Sequence, residues 1–125
     1  MDTKAKFTTM YAGQCPSREA LDRIGDKWAS LIIGLLEDGT MRFSDLQRAI
    51  GGITQKMLTQ TLRSLERDGL VKRTVYPEVP PRVEYQLTEL GTTLIEPLDV
   101  LRDWAQQNIA KVTVAQQEFD ARKIS

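Results

Sequence analysis

The 125 residues suffice for one sizeable core and leave no room for a second domain of ordinary size. The composition, 41% hydrophobic and 27% charged, is that of an ordinary globular chain. One cysteine and no histidine exclude a disulfide framework, a clustered Cys/His zinc site and histidine-based acid–base or triad chemistry. The 17 basic and 17 acidic side chains cancel, yet not evenly: residues 1–83 hold 13 Lys/Arg against 10 Asp/Glu, and residues 84–125 hold four against seven. A nucleic-acid footprint is a matter of distribution, and here the basic surplus and the acidic surplus fall in different parts of the chain.

The N-terminus carries Lys4 and Lys6 with no apolar stretch behind them, so no secretory signal is expected. The longest apolar run, Leu31-Ile32-Ile33-Gly34-Leu35-Leu36, is far too short to span a bilayer. The expected location is therefore the cytoplasm. The carboxylates are scattered, and Gly51-Gly52 has no strand before it to make a phosphate loop, so neither an enzyme nor a cofactor or metal is expected. With no repeat or linker visible, the chain reads as one domain, its core at about residues 15–109.

Cys15-Pro16-Ser17 precedes a helical pattern, Ala20, Leu21 and Ile24, closed by Gly25, with proline suited to the first turn. A second helix sets Trp28, Leu31, Ile32, Leu35 and Leu36 on one face and stops at Gly39. The third begins at Phe43-Ser44, where Ser44 and Gln47 have the spacing of a capping box, and turns Phe43, Leu46 and Ile50 inward. Gly51-Gly52 permits a tight turn, Ile53 returns to the core, and Thr54 caps the next helix. Helix, glycine turn, capped helix is the outline of a helix-turn-helix.

The fourth helix, about residues 55–68, is the most informative. At 100° per residue, Lys56, Thr59, Gln60, Arg63 and Arg67 share a stripe about 100° wide, with Leu58, Leu62 and Leu65 opposite. A merely solvated face mixes signs; this one has three cations, an amide and a hydroxyl, with Glu66 off its edge. Those are the groups that contact phosphates and base edges in a major groove. Lys56 and Arg63 are the main candidates for base contact, with Gln55, Thr59 and Gln60 beside them. Arg67 is a candidate phosphate contact.

After Gly69, residues 70–76 form a β-rich run, Pro77-Glu78-Val79-Pro80-Pro81 a turn, and residues 82–87 an alternating strand. The expectation is a two-stranded wing whose Arg73 and Arg82 neutralise phosphates or, on the bland reading, are solvated strand charges. Thr88 then caps a long helix bearing Leu90, Leu94, Leu98, Leu101, Trp104 and Ile109, with Pro97 expected to kink or divide it. Its apolar band exceeds what the core needs, which suggests a subunit interface. Whether helix continues past about Val112 is left open.

Several segments together resemble the HxlR-type winged-helix regulators, which are related to the MarR type. They are Cys15-Pro16, Ile24-Gly25-Asp26-Lys27-Trp28, Arg42 to Leu46, Gly52 to Thr59, Leu65 to Val71, the long wing run Tyr76 to Tyr85, and Leu87 to Gly91, a likeness over roughly residues 15–105. Asp26 departs from the pattern, where a second glycine is expected. The resemblance implies a mainly α fold with a β-hairpin wing. It also implies a homodimeric transcription factor, paired through its first and last helices, that binds double-stranded DNA at a palindromic operator. Members of that family sense oxidants or electrophiles through an N-terminal cysteine, which makes Cys15 a candidate sensor beside the reading of it as a small buried hydrophobe. A ligand-gated repressor with a small-molecule effector and a winged-helix protein-interaction module are the competing functions.

Overall fold

The computed structural model describes residues 16–124, with side chains from 17 to 122. Cys15, the candidate sensor, lies outside them. Helix α1 (Pro16–Gly25) leads to α2 (Lys27–Leu35) and a 3-10 turn (Leu36–Asp38); strand β1 (Met41–Arg42) leads into α3 (Phe43–Ala49). Then come α4 (Gln55–Arg67), β2 (Val71–Tyr76), β3 (Arg82–Leu87), the short α5 (Glu89–Thr92) and α6 (Ile95–Ile124). The architecture is mainly helical with a small antiparallel sheet, as expected, although the sheet has three strands in the order β1-β3-β2. The third strand was not anticipated, because two residues are too few to show a period.

Asp26 explains the sharp passage from α1 to α2. Its carboxylate accepts from the backbone N–H groups of Trp28 (2.8 Å) and Ala29 (3.1 Å), satisfying two free donors of the first turn. The buried face of α2 is Ala29, Ile32 and Ile33, continued by Leu36: the i, i+3, i+4, i+7 set. Leu31, expected in the core, is 49% exposed because at 100° per residue it falls on the side of the helix roughly opposite Ala29, Ile33 and Leu36.

The capping box expected at Ser44 does not form. Pairing of Met41 with Tyr85 and of Arg42 with Glu84 carries the chain straight from β1 into α3. Arg42 thereby becomes the N-cap residue, without a side-chain cap bond, and Ser44 falls inside the first turn. The next cap is as expected: Thr54 Oγ1 accepts from Met57 N at 3.1 Å, after a turn in which Gly52 has φ +84°. At the other end of α4, Gly69 N bonds to Glu66 O and Leu70 N to Leu65 O, the double closure of a left-handed helix stop.

The final helical region also departs from expectation. Thr88 caps only α5, accepting from Gly91 N at 3.0 Å, and the break falls at Thr93-Leu94. Pro97 causes no division: it lies in the first turn of α6, where its missing N–H would have had no partner. Helix α6 runs on past Val112 to Ile124.

The core gathers α2, α3, α4 and the sheet. Leu46, Leu58, Leu62 and Leu65 are essentially inaccessible, joined by Ile50, Ile53, Val71, Tyr85 and, from α6, Leu98. Burial of this order, at about 25 cal/mol per Å² of apolar surface, is the main force fixing how α3 and α4 cross.

Candidate nucleic-acid interface

The two faces of α4 are sharply different. Leu58, Leu62 and Leu65 are buried, whereas Gln55, Lys56, Gln60, Arg63 and Arg67 are exposed and Thr59 is half-exposed. Because the leucines fix the helix's rotation, the opposite stripe must face outward. Thr54 is exposed as well, but its hydroxyl oxygen is engaged in capping, so its first duty is to hold the start of α4.

The stripe divides into two edges. Thr59 and Arg63 line a recess with Glu66, Arg73 of β2 and Tyr85 of β3, so the fold brings a helix cation and a wing cation together. In the β2–β3 ladder Arg73 stands across from Tyr85, which is buried, while Arg73 itself is exposed. Gln60 and Arg67 lie on the edge nearer α1. Gln60 borders a recess with Arg23 and Asp26, and Arg67 borders a cavity with Arg23, Ile24 and Asp68.

Arg82 is differently placed. Its guanidinium lies 3.3 Å from Glu78 and 3.4 Å from Glu84, and it stacks over the Tyr76 ring at 4.0 Å. The Glu84 contact at Nε is an ion pair without hydrogen-bond alignment, and that buried Nε has no hydrogen-bond partner among the described residues. The charge of Arg82 is thus partly neutralised within the wing, whose tip it ties to its stem. Arg42, which the sequence reading passed over, is exposed at the end of β1 and borders a recess with Glu78, Pro80 and Arg82. Only the pairing of β1 with β3 brings it beside the wing, and no local motif announces that.

A helix-turn-helix whose outward helix is followed by a β wing defines a winged-helix transcriptional regulator. The chain belongs to the HxlR-like helix-turn-helix family, whose model matches residues 23–113. It is 45% identical over 118 residues to the HTH-type transcriptional regulator YtfH of Escherichia coli (strain K12), covering 94% of each chain. Among solved structures, the transcriptional regulator ytfH from Salmonella typhimurium superposes with a TM-score of 0.78 at 49% identity, over 86% of this chain and 96% of that one. The redox regulator HypR in its reduced form gives 0.74 at 42% identity, over 80% and 99%.

Proposed function

We propose that the protein binds double-stranded DNA as a homodimer on a palindromic operator, acting in the cytoplasm on the nucleoid. Helix α4 enters the major groove in this reading. The observation that carries it is the outward face of α4: three exposed cations, an amide and a hydroxyl, held in place by three buried leucines. Lys56 and Arg63 reach base edges, with Gln55, Thr59 and Gln60 beside them, while Arg67 and Arg73 contact phosphates. A two-fold pair of such helices spans successive major grooves about 34–36 Å apart. Arg82 contributes mainly by stiffening the wing, and Arg42 adds a further cation beside it.

The test is fluorescence anisotropy on DNA from upstream of the protein's own gene and on a scrambled duplex, each at low and physiological salt. Tight, sequence-preferring binding that weakens steeply with salt is the expected result, because neutralised phosphates release counterions. Absence of binding even at low salt overturns the reading in favour of a protein-interaction module.

The likeness to HypR, a redox regulator, favours a second reading in which the regulator also responds to oxidants or electrophiles. Cys15 is the chain's one thiol. Operator affinity of the wild type should then change on diamide treatment, and that of Cys15→Ser should not. An equal response in both proteins excludes the thiol and leaves a ligand-gated regulator.

A further inference from the structure

The sheet face turned toward the core carries a cation where its two-residue period calls for an apolar side chain. Val71 and Leu87, Arg73 and Tyr85, and Val75 and Val83 are successive pairs across β2 and β3, so they share one face. Val71 and Tyr85 are buried in the core, Leu87 and Val83 pack against it, and α4 packs against β2. Arg73 stands between Val71 and Val75 yet is exposed, because it opens on the recess of about 190 Å³ that it lines with Thr59, Arg63, Glu66 and Tyr85. A charge on the core side of a sheet is a misfit unless it meets an opposite one. Glu66 is the one acid on the recess, and neither Arg63 nor Arg73 forms an ion pair with it or with any other described residue.

Two hydroxyls on the same recess are also without partners. Tyr85 is only 7% exposed, but its hydroxyl is not enclosed and bonds to no described residue, which leaves it as a donor facing the recess that Tyr85 lines. Thr61, Thr92, Thr93 and Thr113 each turn their hydroxyl back onto a backbone carbonyl of the preceding turn. Thr59, helical like them, does not, and its hydroxyl has no partner among the described residues. A solvated strand arginine would account for neither hydroxyl. Guanidinium, tyrosine and threonine donors are the groups that hold phosphate oxygens.

From this convergence we infer that the recess between α4 and the wing is the seat of one phosphodiester group of the DNA backbone. Arg73 supplies the charge, and Thr59 and Tyr85 donate the hydrogen bonds. The inference rests on the DNA binding of the proposed function and adds Tyr85 to its contacts. Size and charge both favour this occupant. The recess is smaller than the pockets of about 300–1,000 Å³ that take drug-sized ligands. Its two cations and one carboxylate leave a single positive charge, which matches the single negative charge of a phosphodiester. A free phosphate, carrying about −1.5 to −2 at neutral pH, is repelled more strongly by Glu66. Arg63, on the groove-facing stripe of α4, remains available to the base beside that phosphate.

Anisotropy titrations of the full chain with Tyr85→Phe and Thr59→Val test this, since each variant removes one hydroxyl and keeps the shape of the side chain. Each should bind the operator about tenfold more weakly, the order of a hydrogen bond to a charged group. The loss should be equal on the scrambled duplex, because a phosphate contact carries no sequence information, and the salt slope should not change, because no charge is removed. Glu66→Gln should tighten binding to both duplexes severalfold, an outcome that misfolding cannot produce. A neutral methylphosphonate placed at each operator linkage in turn should weaken the wild type at one linkage per half-site and leave Tyr85→Phe unaffected there. A Tyr85→Phe protein that binds like the wild type, or loses affinity for the operator only, removes the seat and leaves the proposed function standing. Displacement of DNA by inorganic phosphate at constant ionic strength, from the wild type but not from Tyr85→Phe, overturns the backbone assignment in favour of free phosphate. A wild type that binds neither duplex removes the proposed function, and the seat with it.

Discussion

Arg23 and Asp68 lie 45 residues apart in the chain, and their side chains meet at 2.9 Å, joining α1 to the C-cap of α4. Both are about a third exposed, so the pair lies between a surface ion pair and a buried one. A double-mutant cycle with Arg23→Ala and Asp68→Ala should give a coupling of about 1 kcal/mol in urea unfolding, decreasing with salt. A coupling near zero would mean that apolar packing alone orients α1 against α4. Because α1 follows directly on Cys15 in the sequence, this contact ties the helix after that cysteine to the helix proposed to enter the major groove.

Opposite faces of α4 should separate stability from binding. Leu62→Ala removes a side chain that is 1% exposed and should destabilise the fold by about 2–5 kcal/mol. Arg63→Ala, on the outward face, should leave the urea midpoint close to wild type and weaken operator binding by about 1–3 kcal/mol if it reads a guanine. Operator affinity unchanged in Arg63→Ala, with folding intact, would remove Arg63 from the interface.

Much of this site was readable because α4 is governed by local rules. Thr54 at its cap, glycine at its end and leucines at 58, 62 and 65 fix both its limits and its rotation, so the outward stripe follows from the sequence. What escaped the reading depended on partners distant in sequence. The Ser44–Gln47 spacing suits a cap, but pairing of Arg42 with Glu84 sets the start of α3 two residues earlier than the box requires. Glu84 stands beside Arg82 through the two-residue period of β3, but the second partner, Glu78, reaches Arg82 only through the conformation of the turn before the strand. Proline breaks a helix only in its interior, and the sequence does not show that the helix starts as late as Ile95, which puts Pro97 in the first turn where it is harmless.

Gly91 is held by a close approach. A Cβ there would lie 2.1 Å from Leu70 O and 3.2 Å from Leu87 Cδ2. The contact is against backbone, so α5 would have to move away from the start of β2, straining the Thr88 N to Leu70 O bond at 3.1 Å. Gly91→Ala should therefore cost about 2–3 kcal/mol. Gly51→Ala, whose Cβ meets nothing within 4 Å, should be neutral or stabilising by up to about 1 kcal/mol through the unfolded chain. Equal urea midpoints for the two variants would show that α5 can shift without loss.

The two wing arginines should separate in their salt dependence. Arg73 is exposed beside Arg63, so if it neutralises a phosphate, Arg73→Ala should reduce the slope of log affinity against log salt by about 1. Arg82 is already paired with Glu78 and Glu84. Its loss leaves two carboxylates in the wing without their cation, so Arg82→Ala should lower affinity by loosening the wing and by raising local negative charge. A neutral Arg82→Gln/Glu78→Gln/Glu84→Gln triple variant, which removes that charge, should then recover most of the affinity lost in Arg82→Ala. If Arg82 instead contacts phosphate directly, the triple variant will bind no better than Arg82→Ala and will show the same reduction in slope as Arg73→Ala.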